Sequence, residues 1–171
     1  INQDAACIAH PFAETPGVAL FCVYDGHGKF GHDVSQEVLH AMHAHLEDHV
    51  EELCGMPQLE LARAFEAVNA HLEGLCSAAG PSVNALDSGA CALVALLDRG
   101  QLCVAGAGDC RAVLGTMQGG VLTAVGLSTD HKCDLPTEQA RASRRGAREL
   151  GRRVTGGAGC RCQEGRARGG W

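Results

Sequence analysis

The chain of 171 residues predicts an α+β fold, with helices outside and antiparallel sheet inside. Two features lead there: short apolar runs bounded by turn residues lie at both ends of the first 126 residues, and two long segments with helical periodicity lie between them. The first runs, 6–9 and 18–24, are separated by Pro11, Pro16 and Gly17, as in two neighbouring antiparallel strands joined by a loop. At Val34 the period changes. Val34, Val38, Met42, Leu46, Val50 and Leu53 recur every three or four residues and predict one five-turn helix, opened near Asp33 or Ser35 and closed by Gly55-Met56-Pro57. Leu61, Phe65, Val68, Leu72 and Leu75 predict a second helix that stops at residues 78–81, Ala-Ala-Gly-Pro. The runs 90–97, 102–107, 111–114 and 121–125 then alternate with Asp98-Arg99-Gly100, Gly108-Asp109 and Gln118-Gly119-Gly120, the spacing of an antiparallel meander. Unbroken apolarity over 92–97 predicts a strand covered on both faces. No internal repeat or heptad pattern occurs.

Bulk properties narrow the function classes. A hydrophobic fraction of 46% with mean hydropathy −0.02 fits a soluble globular domain. No apolar run approaches the roughly 20 residues of a membrane helix. The opening Ile1-Asn2-Gln3-Asp4 has neither an initiating Met nor a basic leader, so the sequence reads as an excerpt without a secretory signal. Ten cysteines are present, but Cys22, Cys91 and Cys103 sit inside apolar runs and no Cys-x-x-Cys occurs, which predicts free thiols in a reducing compartment, cytoplasmic or nuclear. Cys160 with Cys162 would make half of a zinc site, and the other half is not evident. The net charge of −6 hides a division: residues 1–140 carry −13 and residues 141–171 carry +7. The acidic part repels nucleic acid, and none is expected as a partner. The Arg/Gly-rich tail has little periodicity and is expected to be unfolded or partly helical. Such a tail can hold RNA or an acidic partner, or be a terminus with no role.

Four polar patches stand where strands begin or end: Asn2-Gln3-Asp4, Asp25-Gly26-His27-Gly28, Ser88-Gly89 and Gly108-Asp109-Cys110-Arg111. Loops from different strands converge at a sheet rim, so the four can surround one site; ordinary turn chemistry accounts for each taken singly. Asp25 follows an apolar run directly and offers a carboxylate for a hard cation, Gly26 lets a carbonyl turn inward, and His27 can give or take a proton near neutral pH. His45 and His49, four apart on the first helix, can clasp a transition metal, yet with His40 and His43 beside Glu47, Asp48, Glu51 and Glu52 they read as a solvated face. A phosphate loop is excluded because Phe30 follows Lys29 and the Gly spacing is wrong, and no Gly-x-Ser-x-Gly elbow occurs.

In their order these patches resemble the metal-dependent serine/threonine protein phosphatases of type 2C, the PPM family. The similar segments are residues 2–5 (Asn-Gln-Asp-Ala), 21–28 (the strand ending Asp-Gly-His-Gly), 88–97 (Ser-Gly-Ala-Cys-Ala onward), 104–114 (around Gly-Asp-Cys-Arg, where the family has Gly-Asp-Ser-Arg) and 127–141 (around Asp-His-Lys). The resemblance implies a four-layer α-β-β-α sandwich of two central antiparallel sheets with helices outside. Here it is partial, with residues 1–140 as the N-terminal portion of the domain and one outer helix pair, followed by a divergent tail at 141–171. It also implies two Mg²⁺ or Mn²⁺ ions that acidify a water for attack on phosphorus, phosphoprotein substrates, and a monomer when the domain is complete. On that pattern Asp25 is the bridging carboxylate, the Gly26 carbonyl a ligand, His27 the general acid, Asp109 the ligand of a third, weaker ion, and Asp4 a ligand through water. Gln3 stands where many members have Glu, which removes one negative charge. Two further aspartates of the family have no counterpart after Arg141, and its phosphate-binding Arg falls ahead of Ile1. The chain is therefore expected to be a truncated phosphatase of little or no activity, the alternative being a pseudophosphatase or binding fragment.

Overall fold

The computed structural model describes residues 1–77, 83–132 and 134–144, together with short strands at 148–150, 153–155 and 165–167. In chain order the elements are β1 (Asp4–Ala9), β2 (Val18–Gly28), α1 (Gly31–Asp48), α2 (Val50–Gly55), α3 (Pro57–Ser77), β3 (Ser88–Asp98), β4 (Gln101–Ala107), β5 (Val113–Gln118), β6 (Val121–Gly126), α4 (Pro136–Arg144), β7 (Arg148–Leu150), β8 (Arg153–Thr155) and β9 (Gly165–Ala167). One antiparallel sheet has the order β1-β2-β3-β4-β9, and the pairs β5-β6 and β7-β8 form separate ribbons. The meander expected from the sequence thus divides after β4, where Gly108 takes a φ of +91° and turns the chain away.

Strand alternation assigns each side chain to a face. Val18, Leu20, Cys22 and Tyr24 of β2 and Ala92, Val94 and Leu96 of β3 are buried beneath Val34, Val38, Met42 and Leu46 of α1 and Leu61, Ala64, Phe65 and Val68 of α3. Both helices therefore lie on one face, as the two apolar stripes predicted. Burial pushes the Cys22 thiol up to about 11, and the seven described cysteines are free, so Cys22 packs as a small apolar group. His71 Nε2 and Glu37 Oε1, 2.7 Å apart, tie α3 to α1.

The single helix expected over residues 34–53 is broken at His49 (φ −119°, ψ 33°). The His49 ring donates through Nδ1 to the His45 carbonyl at 2.8 Å, occupying the acceptor that the backbone N–H of residue 49 would use in an unbroken helix. No periodicity of apolar residues reports such a bond.

The opposite face of the sheet departs from the expectation that 92–97 is covered twice. Leu93, Ala95 and Leu97 are half-buried, while Ile8, Phe21 and Val23 are 75%, 39% and 47% exposed. The register stacks Ile8 on Phe21, Phe21 on Ala95 and Val23 on Leu93, so these side chains make one continuous apolar surface. Replacing Phe21 by Ser together with Val23 by Thr is expected to lower self-association in sedimentation velocity and leave the thermal midpoint nearly unchanged, because the helix-facing core is untouched. Equal sedimentation of variant and parent would show the face to be inert.

Candidate metal centre

The four polar patches meet at one end of the sheet. Asp4 is the register partner of Asp25, which sets two carboxylates on the same face with Cβ atoms roughly 5 Å apart. Asp25 is in turn the partner of Cys91, whose thiol donates to Asp109 Oδ1 at 3.3 Å. His27 lies two residues beyond Asp25 and so on the same exposed face. It pairs with Gly89, and a Cβ added there would lie 2.7 Å from His27 Nε2; glycine alone leaves room for the ring. Asp4, Asp25, Asp109 and His27 are thus neighbours around β2, β3 and the turn after β4.

The Asp-Gly-His-Gly segment is the last stretch of β2 and not a turn after it. What holds it is Gln3. The Gln3 carbonyl accepts the Gly26 N–H at 3.2 Å and the Ser35 hydroxyl at 2.6 Å, while its side-chain amide donates to the Gly28 carbonyl at 2.8 Å. A Glu at this position could not make that last donation. Gln3 in this chain is therefore a strap across the end of β2. Ser88 completes the arrangement by accepting the Phe30 N–H at 2.8 Å.

The residues present fit a hard divalent cation. Like charges placed directly opposite on neighbouring strands repel, and the ion pairs found near this rim among the described residues belong to Asp130, not to Asp4, Asp25 or Asp109. The donor set of three carboxylates and the Gly26 carbonyl is made of oxygen, which suits Mg²⁺ or Mn²⁺. Two thiols stand beside it. A hydrogen bond with Cys110, ahead of burial, holds the Cys91 thiol well above the ordinary thiol range, and the same bond lowers Cys110.

The Gly108–Arg111 turn and the Asp130-His131-Lys132 segment, distant in sequence, are joined. Arg111 donates through Nε and Nη2 to the two Asp130 oxygens at 2.8 and 2.7 Å, Lys132 Nζ lies 3.0 Å from the same carboxylate, and the His131 N–H bonds the Gly108 carbonyl at 2.8 Å. Hydrogen bonds from Arg111 and then Lys132 hold the Asp130 carboxyl far below the usual carboxylate range. A carboxyl lowered in the folded state contributes stability that is complete above its ordinary value of 3.8 and disappears as the pH falls through the folded value beneath it. Asp130→Asn is therefore expected to lower the thermal midpoint at pH 7 by a few degrees and to flatten the acid limb of the stability curve. An unchanged midpoint at pH 7 would show that the tie adds nothing.

Sequence reasoning missed Ser35, Cys91 and the structural use of Gln3 and Asp130. Ser35 gave a weak signal as a small polar residue inside the apolar stripe of α1; Gln3 and Asp130 stood in noted polar segments and Cys91 in an apolar run, but residue type alone announced none of their bonds. His45, read as part of a solvated face, instead turns toward α3, where its Nε2 lies 3.0 Å from Glu60 Oε1. The helix pair crosses closely there. Cys160 and Cys162 lie outside the described residues.

Residues 3–157 match the family described as Protein phosphatase 2C. The chain belongs to the protein phosphatase 2C family. It is 34% identical over 148 residues to probable protein phosphatase 2C 64 of Oryza sativa subsp. japonica, an alignment covering 82% of this chain and 34% of that protein. It is 33% identical over 151 residues to probable protein phosphatase 2C 72 of Arabidopsis thaliana, covering 82% and 44%. The chain therefore spans less than half the length of these curated relatives. Among solved structures, serine-threonine phosphatase 2C from Toxoplasma gondii superposes with a TM-score of 0.67 at 22% identity, covering 86% of this chain and 51% of that one. A bacterial serine phosphatase gives a TM-score of 0.65 at 20% identity, covering 97% and 65%. These likenesses establish the fold, the α+β packing of antiparallel sheet against helices that the sequence predicted for a phosphatase 2C chain.

Proposed function

We propose that this chain carries part of a metal-dependent protein serine/threonine phosphatase that hydrolyses phosphoserine and phosphothreonine in phosphoproteins. The observation that supports it most directly is the register pairing of Asp4 with Asp25 beside the Cys91–Asp109 contact, in a chain of this family. Asp25, with the Gly26 carbonyl, Asp4 and Asp109, would hold the Mg²⁺ or Mn²⁺. When bound, such ions acidify water and offset charge on phosphoryl oxygens. His27, on the same face as Asp25 and held against Gly89, gives its proton to the departing serine or threonine oxygen. Gln3 and Ser35 fix the end of β2 so that Asp25 and the Gly26 carbonyl keep their places.

A second reading is a binding module that retains the fold without turnover. The small donor set supports it: among the described residues the rim offers three carboxylates and one carbonyl for a site that, in the complete domain, holds two ions. Titration calorimetry with Mn²⁺, paired with hydrolysis of an aryl phosphate, separates the two. Mn²⁺ binding at Asp25 supports the phosphatase reading, and turnover lost in Asp25→Asn would show that this stretch of chain suffices. Absence of Mn²⁺ binding leaves the binding module.

A further inference from the structure

On the helix side of the sheet, away from the phosphatase rim, His45, His49 and Glu60 offer ligand atoms that all lie within 4.8 Å of one another. We propose that they form a Zn²⁺ site that staples α1, α2 and α3 at the break in the first helix.

Each residue is arranged as a ligand would be. The His49 Nδ1–H is committed to the His45 carbonyl at 2.8 Å, which fixes the tautomer and leaves the Nε2 lone pair free. A metal-binding histidine is commonly oriented by this kind of second bond. The two rings stack with centroids 4.4 Å apart and planes 19° from parallel, which keeps both imidazoles side by side at the joint. Glu60 is buried, at 2% exposed, and its Oε1 is 3.0 Å from His45 Nε2. Its other oxygen faces Arg63 Nη1 at 3.5 Å, which would steady the carboxylate from outside. A buried carboxylate gains from cationic and hydrogen-bonding neighbours, and a metal ion here would add to those that Arg63 and His45 supply.

Two imidazoles and one carboxylate, with water in the fourth position, suit Zn²⁺, whereas the oxygen donors around Asp25 suit harder ions. To coordinate through Nε2, His45 would carry its proton on Nδ1, any proton in excess of the neutral ring passing to solvent, and the metal would take the place of the hydrogen bond as the bridge to Glu60. The three ligands come from the end of α1, the junction residue and the first turn of α3. Binding therefore ties the helices across a joint at which backbone hydrogen bonding is interrupted.

The test uses the whole chain, titrated with Zn²⁺ by calorimetry and with Co²⁺ as a spectroscopic probe. Expected results are one Zn²⁺ per chain, retained by Asp25→Ala, weakened about 100-fold or more by His49→Ala, and a Co²⁺ spectrum of tetrahedral type without a thiolate charge-transfer band. Zn²⁺ should raise the thermal midpoint of the parent and of Asp25→Ala, and not that of His49→Ala. Should His49→Ala fold poorly, proton NMR of the parent supplies the readout, with the His45 and His49 ring signals moving on addition of one equivalent. The proposal is overturned by undiminished Zn²⁺ binding in His49→Ala, by ring signals that stay in place, or by a thiolate band. Because Asp25→Ala serves as the internal control, loss of the phosphatase reading would leave this result standing.

Discussion

Asp25→Ala is expected to abolish Mn²⁺ binding in the calorimeter while the chain keeps its far-ultraviolet circular dichroism. Asp25 is the one carboxylate that sits between the others, in register with Asp4 on β1 and with Cys91, the contact of Asp109, on β3. Its removal separates two acids that no longer share an ion. Changes that touch only the partners of metal ligands cost 10- to 100-fold in affinity, so loss of the central ligand should cost about 100-fold or more. Stability should change little or rise, because Asp25 is exposed and its deletion relieves the repulsion from Asp4. Retention of Mn²⁺ at parental affinity would sink the assignment of this rim as the metal centre, and with it the phosphatase reading of these residues.

Gly26→Ala should be strongly destabilising for so small a change, at about 3 kcal/mol. An added Cβ would overlap the carbonyl oxygens of Gly31 and Gln3 and come within 2.7 Å of the Gly31 carbonyl carbon. All of these are backbone atoms, so no rotamer change relieves the overlap. Nor can either neighbour retreat easily: Gly31 opens α1 and would itself meet Gly26 at 2.7 Å if it carried a Cβ, while the Gln3 carbonyl is held by the Ser35 hydroxyl. Urea unfolding should show a clear drop in midpoint. Gly55→Ala is the control, since nothing lies within 4 Å of a Cβ there, and it should be neutral or slightly stabilising. Equal midpoints for the two variants would mean that the contact of β2 with α1 yields at little cost.

The parts of the fold legible in the sequence were those written in side-chain period. Val34, Val38, Met42 and Leu46 announced the buried face of α1, and the apolar run at 18–24 announced β2. The place of Asp25 at the sheet rim was also legible, because a carboxylate that closes an apolar run marks where a strand meets solvent, and the motif order carried the family. What stayed hidden depends on single hydrogen bonds between distant residues. The break at His49 comes from one ring nitrogen, and the strap of Gln3 from an amide that the residue type alone does not assign. The burial of Glu60 was hidden for a related reason: among the acidic neighbours of the first two helices it reads as one more solvent-facing charge until the crossing of α1 and α3 is known. The exposed apolar surface around Phe21 and Val23 could not be told from a covered one, since apolarity reports which side chains avoid water and not whether anything lies over them.

Asp4 rides on β1, the outermost strand on its side of the sheet, paired to one neighbour only. Edge segments open locally at far lower free energy than the centre of a sheet. A cation held between Asp4 and Asp25, as proposed, would be coupled by mass action to that opening: occupancy would protect the strand's amides from exchange, and fraying of the strand would shed the ion. Metal content and order of the first residues would then be one equilibrium observed from two sides.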